Sequence, residues 1–183
     1  MLEAAGVPFD AMTAGVDEDA AKAALLADGI GPRDLADALA ELKATKLSAR
    51  YPEALVLGCD QVAALEERIF DKPADRKEAE VHLKRLRGER HAQHSAMVIC
   101  EGGLPVWRHI DTARLTMRDF SDDFLAAYLD AEWPQIGYCA GAYRLEAMGV
   151  QLFSRIEGSD FTIRGLPLLP LLDYLRVRGV VAS

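Results

Sequence analysis

An acid and a base stand close together in the chain. Asp60 follows the apolar run Leu55-Val56-Leu57-Gly58-Cys59, and Lys72-Pro73 lies twelve residues further on. A carboxylate can hold a divalent cation or activate a water, and an ammonium offsets phosphate charge, so the pair suits polyphosphate chemistry. Residues 55–59, bounded upstream by Tyr51-Pro52, read as a short buried strand. Asp60 at its end would point into the kind of crevice where α/β proteins bind ligands. From Val62 to Phe70 the chain reads as a hairpin with Glu66-Glu67 near its turn, which would bring Lys72 back towards Asp60. The plainer alternatives are a turn-forming or helix-capping aspartate and a solvated loop lysine.

At these residues the sequence resembles the Maf family of nucleoside triphosphate pyrophosphatases, whose pattern is a strand ending Gly-x-Asp-(Thr or Gln)-Val, a hairpin and then Lys-Pro. The likeness continues in family order through Lys43-Ala44, Gly88-Glu89-Arg90-His91 with Ser95, Cys139-Ala140-Gly141-Ala142-Tyr143 with Glu146, Ile156-Glu157-Gly158-Ser159 and Gly165-Leu166-Pro167-Leu168. Each motif is short, but six in order cover nearly the whole chain. The resemblance implies a cytoplasmic homodimer dependent on a divalent cation, magnesium or manganese, that splits nucleoside triphosphates into monophosphate and pyrophosphate. It implies a mixed sheet in an elongated, two-lobed α/β fold, shared with inosine triphosphatase-like enzymes, around a central groove.

Carried over residue by residue, the resemblance makes Asp60 the general base or the metal ligand that delivers the water, two roles the sequence does not separate. Lys72 and Lys43 become phosphate contacts, and Glu18 a second ligand to the metal. Helix N-terminal charge is the competing explanation for Glu18, since capping accounts for at least one of Asp17, Glu18 and Asp19. His91 and His94 lack a Cys or acidic partner at ligand spacing and read as structural or exposed histidines, with Arg90 and Ser95 as supporting residues.

Gln61 and Glu146 bear on which nucleotide is used. The dTTP/UTP branch of the family has Asp-Thr-Val and Asp-Lys-Ala-Gly followed by Gln, where this chain has Asp60-Gln61-Val62 and Tyr138-Cys139-Ala140-Gly141 with Glu146. That pattern looks like the 7-methyl-GTP branch. Methylation at N7 leaves the purine cationic, and a carboxylate can offset that charge while accepting from the N1 and N2 donors of guanine. One family feature is absent: the first strand and a Ser-x-Ser-x-Arg-Arg segment that would hold the triphosphate at a helix start. Residues 1–9 match the tail of that helix and the strand after it, so the expectation is a start inside the family's first helix. Either the natural protein carries an upstream strand and loop, or they have been lost. The second case favours the rival reading, a catalytically weak nucleotide-binding protein acting through partners in septum formation. An unrelated flavodoxin-like binder would need a phosphate loop after the first strand, and the chain offers none.

Composition narrows the classes. A chain of 183 residues, half of them hydrophobic, suits one domain or two intimately packed lobes, here taken as a single domain over 1–183. A net charge of −8 disfavours non-specific nucleic-acid or anionic-membrane binding. Cys59, Cys100 and Cys139 are odd in number and far apart, which argues against a disulfide framework or zinc site and points to a reducing cytosol. Neither a signal peptide nor a membrane span is evident, since the apolar stretch 166–172 is short and broken by Pro167 and Pro170.

The elements that must position these residues follow from periodicity. A strand is expected over 7–12, and helices over 17–27 and 32–50, the second with Leu35, Leu39 and Leu42 on one face. Residues 75–87 form a third helix with Ala79, Leu83 and Leu86 inward, stopped by Gly88. Strands over 91–101 and 106–117 pair through a turn at 102–105. Ser121 caps a helix to Ala131, residues 137–149 are irregular, 150–154 form a strand, and a last helix runs from 165 to 177.

Overall fold

The computed structural model describes residues 1–182. Five strands, β1 (Val56–Leu65), β2 (Arg68–Phe70), β3 (Arg90–Glu101), β4 (Leu104–Met117) and β5 (Phe153–Glu157), form one sheet in the order β2-β1-β3-β4-β5. Among the described residues six α-helices accompany them: α1 (Glu18–Ala27), α2 (Pro32–Ser48), α3 (Arg76–Leu86), α4 (Asp122–Glu132), α5 (Asp160–Ile163) and α6 (Leu168–Val177). The α/β class expected from the alternating pattern is the class observed.

Local chemistry accounts for many of the boundaries. Asp17, Asp75 and Ser121 each accept a backbone N–H of the helix that follows, from Ala20, Glu78 and Phe124 respectively. In the β1–β2 hairpin Ala63 pairs with Phe70 and Leu65 with Arg68, leaving Glu66-Glu67 as the turn, with Glu66 at φ 54°. Gly102 and Gly103, at φ 59° and 80°, make the two-residue turn between β3 and β4, a geometry that favours residues without a Cβ. β4 and β5 run antiparallel with Arg114 opposite Glu157 and a register shift between Thr116 and Met117.

Several expectations are corrected. β1 does not stop before Asp60 but continues to Leu65, because Val62, Ala63, Ala64 and Leu65 are all buried and extend the apolar run past the polar pair. Residues 7–12 form no strand: Val7 is buried, but residues 8–12 are exposed, and Pro8 has no N–H to offer a ladder. Leu104-Pro105 belong to β4 rather than to the turn before it. The strand expected over 150–154 is displaced, since Met148–Leu152 coil into a 3-10 helix and the pairing with β4 starts at Phe153. The last helix begins at Leu168 after Pro167, and the short α5 precedes it.

The chain divides into two compact units, one made of Met1–Asp60, Ser95–Asp111 and the segment from Gly165, the other of Gln61–His94 and Thr112–Arg164. In the first, the apolar face of α2 is fully sequestered at Leu35, Ala36, Ala40 and Ala44. The second has a core of side chains from β1, β2, α3, β4 and α4, including Phe70, Leu83, Leu115 and Leu129, with Tyr128 buried among them. Burial of such side chains is the main favourable term in folding, at about 25 cal/mol per Å² of apolar surface removed from water. No helix among the described residues is long and apolar enough to cross a membrane.

Candidate active site

Glu18, Lys43 and Asp60, all in the first unit, come together, and a glycine makes this possible. A Cβ placed on Gly58 would lie 2.2 Å from the Ala40 carbonyl oxygen, 2.8 Å from the Ala44 nitrogen and 2.9 Å from the Ala44 Cβ. β1 therefore approaches α2 closely, along a seam of small residues that no larger side chain at 58 would permit. Lys43 stands beside that seam. Its Nζ donates to Asp60 Oδ1 at 2.7 Å and lies 2.8 Å from Glu18 Oε2, so one ammonium is shared by two carboxylates. Of these side chains Asp60 is 12% exposed, Lys43 20% and Glu18 52%. Asp17, not Glu18, caps α1, which leaves Glu18 available for Lys43.

Electrostatics keep the lysine charged. Burial by itself lowers the Lys43 pKa, but the hydrogen bonds to Asp60 and Glu18, with the negative charges behind them, outweigh it and hold the ammonium above its ordinary value. The neighbouring Cys59 thiol is pushed up to about 12, first by burial and then by the Asp60 charge against the pull of Lys43, so it is inert as a nucleophile at neutral pH. Among the described residues no three His, Cys, Asp or Glu side chains converge into a cage for a metal. Asp60 and Glu18 alone are two hard oxygen donors. That fits a small divalent cation such as magnesium, which takes one or two carboxylates and completes its shell with waters and substrate phosphates.

Gln61, Lys72 and Glu146 belong to the second unit. Lys72 is exposed in the irregular segment before α3, anchored by the buried Pro73 after it. Gln61 uses its amide Nε2 to donate to the carbonyls of Thr162 at 3.1 Å and Ile163 at 2.8 Å, tying the last residues of α5 to β1. Glu146 is exposed on a turn. The Cys139 thiol is raised by burial first and then by Glu146, while Arg144 and Lys72 pull it down, so Lys72 and Glu146 both lie within electrostatic range of one sulfur.

Sequence reasoning missed Gln93 and Glu132, two of the groups that hold this segment in place. Beneath residues 139–143, His91 Nε2 lies 2.7 Å from the Tyr143 hydroxyl, and Gln93 Nε2 donates to the same hydroxyl at 2.8 Å and to the Ala140 carbonyl at 3.2 Å. All three side chains are buried. Burial depresses the His91 pKa to about 4 and raises that of Tyr143, so the network is neutral at pH 7. Glu132, 5% exposed, accepts from Arg144 Nε at 2.7 Å and from the Met148 backbone N–H at 3.2 Å, which fixes both ends of the turn bearing Glu146. The only sequence signal for these roles was polar residues on strand and helix faces that otherwise read as core. Of the two alternatives for the histidines, His91 takes the buried structural one, His94 Nδ1 lies 2.9 Å from the Thr112 hydroxyl, and Arg90 pairs with Glu157 at 2.8 Å.

A chain with an α/β fold and a lysine-bridged carboxylate pair against a Gly-x-Asp strand is consistent with an enzyme of phosphate chemistry. Comparison with known proteins places it more narrowly: residues 1–178 match the family described as Maf-like protein. The chain belongs to the Maf family. It is 49% identical over 181 residues to a nucleoside triphosphate pyrophosphatase of Ruegeria pomeroyi, covering 99% of this chain and 91% of that protein. Proteins of the same name from Roseobacter denitrificans and Rhodospirillum rubrum are 51% and 50% identical, covering 98% and 100% of this chain and 90% and 91% of theirs.

Proposed function

We propose that this chain hydrolyses the α–β phosphoanhydride of a nucleoside triphosphate, releasing the nucleoside monophosphate and pyrophosphate. The observation that carries the reading is the Lys43 ammonium shared by Asp60 and Glu18, in a chain about half identical to relatives bearing the name nucleoside triphosphate pyrophosphatase. Asp60 orients a water and takes its proton as the oxygen attacks the α-phosphorus. The bridging oxygen leaves with pyrophosphate, and Lys43 and Lys72 offset the charge that builds there. Asp60 and Glu18 would hold a divalent cation, magnesium or manganese, which when bound supplies neutralisation of the phosphate oxygens. Asp60 suits this work because a strand interior, not a mobile loop, fixes its position.

For the base, the reading is 7-methylguanine, carried by Glu146. Its carboxylate accepts from the N1 and N2 donors and offsets the ring charge, and the turn that presents it is fastened by Glu132. Gln61 contributes through the backbone it holds, since its amide N–H groups are engaged by Thr162 and Ile163. The protein works in the cytoplasm on a free nucleotide, with neither nucleic acid nor membrane as partner. A homodimer is proposed, to be checked as a light-scattering mass of twice 20.0 kDa.

A phosphate assay coupled to inorganic pyrophosphatase tests the activity on 7-methyl-GTP, dTTP and UTP. The expected result is turnover with 7-methyl-GTP fastest. Faster turnover of dTTP or UTP assigns the other branch, and no turnover of any triphosphate leaves a nucleotide-binding protein that acts through partners.

A further inference from the structure

We infer that Lys43 is a resident stand-in for the divalent cation: its ammonium bridges Asp60 and Glu18 in the metal-free protein and is released to the substrate phosphates when the cation takes those carboxylates. The second half, delivery to phosphates, rests on the pyrophosphatase reading, whereas the exchange itself does not.

Charge is the first support. Two carboxylates sharing one ammonium leave the triad one unit negative, the wrong sign for a triphosphate. A divalent cation on the same carboxylates with the ammonium displaced but nearby makes the site one unit positive. A single exchange thus converts a site that repels nucleotide into one that attracts it. An ammonium that stayed in place would keep two of its three N–H donors, and most of its charge, engaged by Asp60 and Glu18.

The unequal anchoring of the three groups is the second. Asp60 is fixed in the interior of β1, and α2 is locked against that strand at Gly58, so neither backbone can move far. α1, which brings Glu18, buries none of its residues. Lys43 reaches the carboxylates on a flexible four-carbon stem. The exchange therefore needs only a rotamer change of Lys43 and a small adjustment of α1, while the strand stays still.

The experiment uses the full-length protein without nucleotide and manganese alone as the probe, titrated by the electron paramagnetic resonance signal of free Mn²⁺. Lys43→Met removes the competing ammonium at similar length, and its Mn²⁺ affinity should exceed that of the parent by at least about tenfold, given the size of charge interactions at such distances. Lys43→Arg should stay near the parent, and adding Asp60→Asn to Lys43→Met should abolish the gain. Equal affinity in parent and Lys43→Met, or a gain that survives Asp60→Asn, overturns the inference. Should Lys43→Met fail to fold, the parent protein decides through ¹⁵N spectra of its lysine ammonium groups. A slowly exchanging Lys43 signal should be present without metal and vanish at saturating Mg²⁺, and its persistence overturns the exchange. Because no triphosphate is present, a failure here leaves the turnover assay unaffected, and failed turnover leaves the metal titration standing.

Discussion

In the unit that contains Asp60 the candidate site residues meet one another, whereas in the unit that contains Glu146 two of the three, Lys72 and Glu146, are carried on exposed segments and the contacts that matter lie underneath. Lys43, Glu18 and Asp60 form one ion cluster seated on a strand and two helices. Lys72 and Glu146 are exposed, and the turn of Glu146 is held from below by Glu132 and by the neutral His91–Tyr143–Gln93 network. Under the proposed function, the difference follows from the work each region is given. Chemistry that needs a carboxylate at fixed geometry uses regular elements, where packing sets position to a fraction of an ångström. Recognition tolerates an exposed residue, provided its loop is anchored by buried hydrogen bonds.

Asp60→Asn strikes the first region hardest. Turnover should fall by about 10³-fold or more, as expected when a general base or metal ligand is removed, while the far-ultraviolet circular dichroism stays that of the parent because the change is nearly isosteric. Activity retained near the parent level would remove Asp60 from the mechanism and, with it, the contrast between the two regions. Gly58→Ala attacks the seam behind the same cluster. The added methyl meets backbone atoms that cannot move aside, so urea denaturation should reveal a loss of about 3 kcal/mol or more. A variant as stable as the parent would mean that α2 and β1 are not locked.

The second region is probed through pH. The folded-state pKa of His91 is lowered to about 4 by burial from an ordinary 6.5. Between those values the unfolded chain binds the proton and the folded one does not, so this residue's contribution is intact above about 6.5 and is lost as pH falls towards 4. The loss from His91 should reach about 2–3 kcal/mol. Comparing unfolding free energies of the parent and His91→Gln at pH 7 and pH 4.5 isolates it, and parallel pH profiles would show that the network is not held neutral by burial. Glu146→Gln carries the smallest effect. It should lower kcat/KM for 7-methyl-GTP by about tenfold while leaving dTTP and UTP within about twofold, the scale of one charge-assisted contact. Equal losses on all three would assign Glu146 to the scaffold.

Much of the fold was legible because its causes are local. Asp17, Asp75 and Ser121 announced helix starts, and Gly88 and Gly102-Gly103 announced a stop and a turn. The unbroken run of β1 through Asp60 was not, since it puts a charged residue in a strand interior, where Lys43 pairs with it. Likewise β5 begins at Phe153 because β4 supplies the pairing partner there, a fact absent from the propensities of residues 150–154.

The chain's own order of residues determined which side chains were available: an aspartate after Gly-x, lysines before and after it, a glutamate late in a glycine-rich stretch, and an acidic run beginning a helix. Only the tertiary structure decided that Lys43 answers to Asp60, 17 residues away, and to Glu18 at once, and that Gly58 is what lets α2 come near enough. Helix and turn signals act over a few neighbouring residues. An ion cluster depends instead on the distance between a helix and a strand, which is set by how their small residues pack and is written in no single segment.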